Sequence, residues 1–335
     1  MRLPATNFIV EDSDGNPLLL VFKGTPSATG VRHGLSVEQN RRITEVLTKI
    51  HFHAPRLLPR IRKGGKNVRI SGNAENYVFD GGIWLEQGIE LRVPVPTLDC
   101  RAGFHAWFPI VHEFKETGTW RVLGEIKDWL EGTEWRRCLG SLPPYSHQYL
   151  GGNPATDPTA MPGHTLTINF NNLSKVHYDV KNHKWGLMTV HGDFSGGGGL
   201  FLPDLEMYLP LAPGDIVACL FQKIRHYVEK DFTGTTRYTG VHILWDEVYR
   251  AWTSNAALWS ELSAPGLVDS LLPRREESEE VELMHATSFQ PIQGSSTQPT
   301  QESSSSRGRG KGRGRGGRSG PIRSTGTGST SAGRF

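Results

Sequence analysis

Two His-x-Asp pairs lie within seventeen residues in the middle of the chain. The first is His177 and Asp179, and the second is His191 and Asp193. A histidine and a carboxylate are two of the three protein ligands in many mononuclear iron sites. One such pair carries little information by itself, because both residue types are common, so the surrounding residues must decide between the two.

A facial iron site needs a third ligand from a distant segment and open positions for a cosubstrate and dioxygen. If the cosubstrate is 2-oxoglutarate, its far carboxylate requires a fixed cation, for which a bidentate arginine is best suited. The chain supplies both in that order. His226 follows the apolar run "IVACL", and Arg237 opens the run "RYTGVHILW". The order predicts ligands that converge from separate strands at one mouth of a barrel.

The context separates the two pairs. His177 and Asp179 directly follow "LTINFNNLSKV", and residues two apart on a strand share one face. His191 and Asp193 instead end a predicted strand before "FSGGGG", where an aspartate is typical of a turn. We therefore predict that the first pair binds iron and the second is structural. The alternative is that neither pair binds metal and His177 is a structural histidine.

The segments that must position these residues change character at Thr165. From there on, short apolar runs are separated by turn residues, a pattern that favours a sandwich or barrel. The runs are "LTINFN", "WGLMTV", "LFLP", "MYLPL", "DIVACL" and "YTGVHILW". A predicted helix, residues 246–262, closes this span.

The front half is expected to be helical and rich in loops. Residues 36–50 have a capping box at Ser36 and Gln39 and an apolar face, so they predict a helix. Residues 124–138 also favour helix, and a long irregular connection follows at 140–164. The basic stretch 56–69 is interpreted either as a loop that lies on a polyanion or as a solvated surface loop.

Composition limits the remaining choices. The chain has three cysteines and no CxxC, which argues against a zinc ribbon or a disulfide framework and is typical of a reducing compartment. No apolar run is long enough for a membrane span, so no membrane contact is expected. From Arg274 onward ten Lys and Arg residues outnumber six Glu residues, which more than accounts for the formal charge of +3.

We expect three parts: a helical and loop-rich front part at 1–164, a β-rich catalytic core at 165–265, and a disordered tail at 266–335. The tail contains the alternating Arg and Gly residues of 307–320. Such a flexible polycation suits non-specific contact with nucleic-acid phosphates. A merely solubilising end is the alternative. We expect the chain to be a monomer.

The motif order resembles a known family. It runs "H-x-D-x-x-N", "GDF-x-GGGG-L-x-LP", "PGD" before an apolar strand, "RH-x-V" and "RY-x-x-V". It is similar to the Tet/JBP oxygenases, most of all to their compact fungal branch that is often found beside transposons. The resemblance covers residues 165–250 well. It implies an α+β chain with a double-stranded β-helix core (jelly-roll or cupin-like), which uses Fe(II), 2-oxoglutarate and O2.

The resemblance also implies a substrate and residue roles. The expected substrate is the 5-methyl group of 5-methylcytosine or thymine in nucleic acid, most often DNA. Such a substrate and the basic tail suggest a nuclear location, and a cytoplasmic location is the alternative. By position, His177, Asp179 and His226 would hold iron, and Arg237 would pair with the C5 carboxylate of 2-oxoglutarate. Asn182 would contact substrate or brace the ligands, unless it is a plain loop residue.

Several other side chains have open roles. Arg225 either assists at the cosubstrate or pairs with a surface acid, which we favour. The "HFH" at His51 and His53 is interpreted as structural, on a strand beside the helix, rather than as a second metal site. Candidate aromatic residues for a pocket around an extruded base, each of which core packing would also explain, are His53, Trp185, Tyr227 and Trp245.

Two further function classes fit the sequence. Iron chemistry does not name its substrate, so the chain is alternatively a 2-oxoglutarate hydroxylase of a protein side chain or a small molecule. It is alternatively a non-enzymatic nucleic-acid-binding protein, in which the Arg/Gly tail supplies the affinity.

Overall fold

The part of the chain that the structure, a computed structural model, describes contains thirteen strands and seven helices. That part comprises residues 8–24, 34–57, 69–70, 77–85, 94–102, 104–171, 173–229 and 232–261. The strands are β1 Phe8–Glu11, β2 Pro17–Phe22, β3 Arg69–Ile70, β4 Tyr77–Leu85, β5 Pro94–Pro96, β6 Thr165–Phe170, β7 Leu173–Ser174, β8 Gly186–Gly197, β9 Leu200–Leu202, β10 Met207–Leu209, β11 Ile216–Cys219, β12 Tyr227–Val228 and β13 Phe232–Ile243. The helices are α1 Val37–Leu57, α2 Leu98–Ala102, α3 Phe104–Glu116, α4 Thr119–Glu131, α5 Glu134–Gly140, α6 Pro144–His147 and α7 Asp246–Glu261.

The core is a double-stranded β-helix, as expected. An eight-stranded main sheet has the order β1-β2-β11-β8-β13-β6-β4-β5, and a second sheet has the order β10-β9-β12. A bridge between His177 and His226 joins the segment after β7 to β12. From β6 to β13 the chain passes back and forth between the two sheets, and neighbouring strands within each sheet pair antiparallel. This alternation is how a jelly roll encloses a space between its sheets.

The front part does more than pack on this core. Four of its strands, β1, β2, β4 and β5, are hydrogen-bonded into the main sheet. Leu20 pairs with Ala218 on one side of the sheet, and Asp80 pairs with Thr167 on the other. The expected division at residue 164 therefore has no counterpart in the sheet, since β1 and β2 extend it beyond β11 and β4 and β5 extend it beyond β6.

Helix α1 follows its sequence signals. The Ser36 main-chain N–H donates to Gln39 Oε1 at 2.7 Å, and the Gln39 N–H donates to Ser36 Oγ at 3.1 Å, which is the predicted capping box. Ile43 and Leu47 on the apolar face are fully buried. The helix continues past the predicted end to Leu57, and it packs against α3 and β8. One layer of helices thus covers the outer side of the main sheet.

The second predicted helix and the connection after it differ from expectation in detail. Gly132, with φ at 77°, ends α4, and α5 begins two residues later. The 140–164 connection forms α6 and short turns that pack on the helices. Within it, Tyr149 accepts a hydrogen bond from Trp107 Nε1 at 3.0 Å, and Asp157 lies 2.9 Å from Lys115 Nζ. Much of this connection is buried.

The chain divides into two units, Met1–Arg275 and Glu276–Phe335. The predicted tail and most of the basic stretch 56–69 lie outside the described residues. No helix among the described residues is long and apolar enough to cross a membrane. Cys100, Cys138 and Cys219 are all buried free thiols, so none of them forms the disulfide framework that the sequence argued against.

Candidate metal centre

The segment that carries His177 and Asp179 is held by main-chain bonds to its neighbour. The His177 N–H donates to the His226 carbonyl at 3.1 Å, and the His226 N–H returns the bond at 3.0 Å. The Asp179 N–H donates to the Phe221 carbonyl at 3.0 Å. The expectation of a regular strand here is wrong, because β7 ends at Ser174. Two main-chain hydrogen bonds between the histidines take the place of a strand and bring the two side chains close together.

Three ligand-type groups meet at this bridge. The ligand atoms of His177, Asp179 and His226 all lie within 4.8 Å of one another. His177 Nε2 is 3.5 Å from Asp179 Oδ1, and His226 Nε2 is 3.8 Å from Asp179 Oδ2. In the described part of the chain, this is the single cluster of histidine, cysteine and carboxylate groups with metal-binding spacing. Two imidazoles and one carboxylate form the ligand set of a facial triad.

The main chain sets the orientation of both imidazoles. His177 Nδ1 donates to the Lys175 carbonyl at 2.7 Å, and His226 Nδ1 donates to the Ile224 carbonyl at 3.1 Å. A proton on Nδ1 leaves the lone pair on Nε2, which is the nitrogen that faces Asp179. Metal-bound histidines are usually fixed in this way, by a hydrogen bond from the second ring nitrogen. The cluster therefore fits a divalent metal ion.

Arg237 lies on β13 with its guanidinium 5.8 Å from the Phe194 ring centroid, and no carboxylate of the described residues forms an ion pair with it. It shares a strand face with Thr239, Val241 and Ile243, all of which line the cavity described below. The side chain is 2% exposed, its Nε and Nη2 have no hydrogen-bond partner, and burial lowers its pKa to about 10. A buried cation without hydrogen bonds is costly unless an anion joins it. The site therefore fits a ligand carboxylate.

The Arg237 side chain explains why glycine is required in the run beside it. Gly198 has φ at 62°, and a Cβ atom there would lie 2.6 Å from Cδ and Nε of Arg237. The run was predicted to be a turn, but β8 continues through it to Gly197. Glycine here leaves room for the guanidinium, which a larger residue would displace.

A cavity of about 370 Å³ adjoins the three ligand-type residues. Other walls come from the inner faces of β4, β6 and β13. Along each of these strands, every second side chain points into the cavity. The lining residues on these strands are Asp80, Trp84, Thr165, Thr167, Asn169, Thr239, Val241 and Ile243. Those on β4 and β6 were not among the residues predicted from the sequence. The Thr-x-Thr-x-Asn alternation of β6 was a usable signal, whereas Asp80 and Trp84 had none.

Asn182 is also part of the cavity wall. It is 4% exposed, its N–H donates to the Asp179 carbonyl at 2.9 Å, and it forms a bridge with Trp245. Its Nδ2 has no hydrogen-bond partner. The main-chain bond fits a role in bracing Asp179, and the place on the wall fits a contact with substrate.

The second His-x-Asp pair lies on the other side of the main sheet. His191 is fully buried, where its Nδ1 is 3.0 Å from Asn40 Oδ1 and its Nε2 is 2.9 Å from Thr189 Oγ1. Burial lowers the His191 pKa to about 3. Asp193 is exposed, and its N–H donates to Thr236 Oγ1 within a bulged part of the β8–β13 ladder. The second pair is structural, as predicted, although Asp193 sits within a strand and not at its end.

The remaining candidates are placed as follows. Arg225 pairs with the surface acid Asp204 at 2.6 Å, the favoured interpretation. His51 lies on α1, not on a strand, and its Nδ1 is 3.1 Å from the Tyr238 hydroxyl. His53 belongs to the same helix, but its side chain lies outside the described residues. Of the other predicted pocket aromatics, Trp245 lines the cavity, whereas Trp185 and Tyr227 do not. Trp185 is buried, and the Tyr227 ring packs at a tilt against Phe201 with centroids 5.1 Å apart.

No protein-family model and no curated protein matches the chain. Similar solved structures include NgTET1 in complex with 5mC DNA, at 18% identity over 71% of this chain and 76% of that chain, with a TM-score of 0.47. A dioxygenase for auxin oxidation from rice is 11% identical over 64% of this chain and 71% of that one, with a TM-score of 0.35. A prolyl-4-hydroxylase from Pseudomonas putida is 11% identical over 61% and 87%, with a TM-score of 0.27.

Proposed function

We propose that the chain is an Fe(II)- and 2-oxoglutarate-dependent dioxygenase that oxidises the 5-methyl group of a pyrimidine in nucleic acid. The observation that carries the proposal is the pairing of two sites in one jelly roll. His177, Asp179 and His226 have the composition and spacing of a facial set of metal ligands, and Arg237 lies buried with two unpartnered nitrogens. Iron and 2-oxoglutarate, once bound, supply the oxidising chemistry, which no side chain provides.

The protein's part is binding and orientation. His177 and His226 would present Nε2 to the metal, and Asp179 would supply the one negative charge, so a divalent centre held by these three residues would keep a net positive charge that favours an anionic cosubstrate. Arg237 would hold the far carboxylate of 2-oxoglutarate with two parallel hydrogen bonds. Its burial strengthens that pair, because charges attract more strongly where water is excluded.

The proposed substrate rests on the motifs and on the cavity. The order of motifs from His177 to Arg237 resembles the Tet/JBP oxygenases, whose expected substrates carry a 5-methylpyrimidine. The cavity of about 370 Å³ is in the range that holds a small ligand, and Trp84 and Trp245 on its wall suit a planar ring. A base in a duplex must leave the stack to enter such a cavity. We take 5-methylcytosine in DNA as the first substrate to test, and with it a nuclear location.

The test uses the purified full chain with Fe(II), 2-oxoglutarate and two DNA duplexes that differ only in cytosine methylation. Succinate and the oxidised bases are measured together. We expect succinate release that depends on the methylated duplex and is matched by oxidised 5-methylcytosine. Succinate release that is equal with both duplexes, without base oxidation, would assign the iron site to a protein or small-molecule substrate. Iron binding without any succinate release would leave a nucleic-acid-binding protein.

A further inference from the structure

The main-sheet wall of the cavity carries three oxygen-bearing side chains that can offer a ligand only acceptors. The Thr167 hydroxyl donates to Asp80 Oδ1 at 2.7 Å, and the Thr165 hydroxyl donates to the Ile83 carbonyl at 2.8 Å. A hydroxyl has one proton, so each threonine that has donated it can only accept a further hydrogen bond. The carboxylate of Asp80 has no proton to donate and about four acceptor positions. A ligand therefore meets acceptors at all three side chains.

Strand pairing places this wall in a row that runs across the sheet. Asp80 pairs with Thr167, and Thr167 pairs with Val241. Val241 pairs in turn with Met188, and all four residues line the cavity. The row thus changes from a carboxylate and a hydroxyl at one end to two apolar side chains at the other. A ligand along the row has one favoured orientation, because a polar edge that faces Met188 loses its hydrogen bonds.

The Asp80 carboxylate is held on a braced part of β4. The Asp80 N–H donates to Asp99 Oδ2 at 2.9 Å, and the Thr97 hydroxyl donates to the Asp80 carbonyl. The bond from Thr167 restrains the side chain itself. A recognition group that is fixed at its main chain and at its side chain keeps its geometry when a ligand enters.

An acceptor wall of this kind distinguishes between the two 5-methylpyrimidines. 5-methylcytosine carries an amino group at C4, next to the carbon that bears the methyl group, whereas thymine carries a carbonyl oxygen at C4. A carboxylate accepts hydrogen bonds from the amino group. Against thymine it meets a second acceptor, and the thymine oxygen then has no donor on this wall. Discrimination therefore comes from exclusion of thymine as well as from attraction of 5-methylcytosine.

We propose that Asp80, positioned by Thr167, selects a base with an amino group at C4, so that the cavity accepts 5-methylcytosine and rejects thymine. This inference rests on the proposed function, from which it takes a 5-methylpyrimidine as the ligand. It narrows the substrate to the 5-methylpyrimidine that has a donor at C4. Asp80 determines specificity in this assignment and takes no part in metal binding, which belongs to the other wall.

The test exchanges an acceptor for a donor at nearly constant size. Asp80→Asn keeps one oxygen for the Thr167 bond and replaces the other by an NH2 group, which donates to the thymine oxygen. The full chain is loaded with 2-oxoglutarate and with Zn(II), which takes the same ligand types as Fe(II) without redox chemistry. Ligand-observed NMR titrations then compare 5-methyl-2′-deoxycytidine with thymidine. We expect the parent to favour the cytidine by at least about tenfold, and Asp80→Asn to lose or reverse that preference.

Asp193→Asn is the matched control, because it makes the same change at an exposed carboxylate that does not line the cavity. Binding of Zn(II), which does not involve Asp80, shows that each variant is folded. A preference that is unchanged in Asp80→Asn, or equally lost in Asp193→Asn, would overturn the selection. A parent that binds both nucleosides equally, or neither of them, would overturn it as well.

Base oxidation is measured in parallel with Fe(II), on duplexes that carry 5-methylcytosine or thymine at one position. A nucleoside preference that depends on Asp80, without any base oxidation, removes only the enzymatic proposal. Oxidation of 5-methylcytosine over thymine at the same ratio in parent and Asp80→Asn removes only the role of Asp80.

Discussion

The two His-x-Asp pairs have the same residues at the same spacing and lie in opposite environments. His177 and Asp179 follow a two-residue strand, face a cavity, and meet His226 across a bridge. His191 lies on the helix side of β8, against Asn40 of α1 and the Phe114 ring of α3. In the first pair, His177 uses only Nδ1 in a hydrogen bond, to the main chain. In the second pair, both ring nitrogens of His191 form hydrogen bonds with side chains.

The difference shows that the His-x-Asp motif alone does not make a metal site. The pair must lie on the cavity side of the sheet, and a third ligand from a distant segment must meet it there. Along β8, Met188 points to the cavity and His191, three residues on, points to the helices. A histidine that points to the helices cannot bind a metal ion in the space between the sheets, whichever residue follows it in the sequence.

The contrast is largest for iron binding. His177→Ala should abolish binding of Fe(II), because two ligands cannot hold the ion at the affinity of three. His191→Ala should keep iron binding but lower the free energy of unfolding by about 1–3 kcal/mol, since it leaves Asn40 and Thr189 without their buried partner. Isothermal titration calorimetry under anaerobic conditions and urea denaturation measure the two effects. Equal loss of iron in both variants would contradict the assignment.

Arg237 extends the contrast to the cosubstrate. Arg237→Met should weaken 2-oxoglutarate binding by about 2–5 kcal/mol, or about 30-fold and more, with Fe(II) affinity kept. The same change should raise the stability of the ligand-free protein by about 1–4 kcal/mol, because it replaces an unpaired buried cation by an apolar side chain.

Urea denaturation with and without 2-oxoglutarate checks the opposite signs of these two effects. Arg225→Met is the control, since Arg225 is exposed and paired with Asp204. A ligand-free Arg237→Met protein that is less stable than its parent would show that Arg237 has a structural partner.

The buried histidines predict a dependence of stability on pH. Burial lowers the pKa of His164, His191 and His242 to about 3 each, below 6.5 for an ordinary histidine. The unfolded chain therefore binds protons that the folded chain excludes. Stability is fully present above about pH 6.5 and is lost as the pH falls from there toward 3. His191→Gln should flatten this loss by about 1.4 kcal/mol per pH unit, measured by urea denaturation at pH 7 and 5. Parallel losses in parent and variant would show that His191 is protonated while folded.

Asp193, the carboxylate of the second pair, should affect iron binding and stability least. Asp193 is exposed, and its carboxylate has only a 3.5 Å contact with Thr235 Oγ1. Asp193→Asn should leave iron binding unchanged and stability within about 0.5 kcal/mol of the parent. Thermal denaturation and iron titration check this, with Asp179→Asn as the variant that should lose the metal. A loss of iron in Asp193→Asn would give the second pair a role in the site.

Local signals in the sequence were sufficient for much of the fold. The Ser36–Gln39 capping box predicted the start of α1, and each apolar run after Thr165 became a strand. These signals work because a cap or an alternating pattern is complete within a few residues. The meeting of His177, Asp179 and His226 was also foreseen, from the order of the motifs.

Pairings between distant segments were not accessible in this way. The sequence of β2 shows that the segment is apolar, but it does not show that β11 is its neighbour in the sheet. Asp80 and Trp84 reach the cavity only because β4 pairs with β6, and β4 alone has no pattern that reveals it. The segment at His177 is extended without being a regular strand, since its geometry comes from two main-chain bonds to His226 and not from its own residues.

The placement of β2 between β1 and β11 has a consequence for synthesis. Leu20 and Ala218 face each other in the sheet although roughly 200 residues separate them in the chain. At about 5–20 residues per second, a ribosome needs about 10–40 s to deliver the second strand after the first. During that interval the β1–β2 hairpin, with the wholly buried side chains of Leu19 and Phe22, has no sheet to join. A lone hairpin is marginal in water, so the nascent chain presents an apolar edge that holdase chaperones are suited to cover.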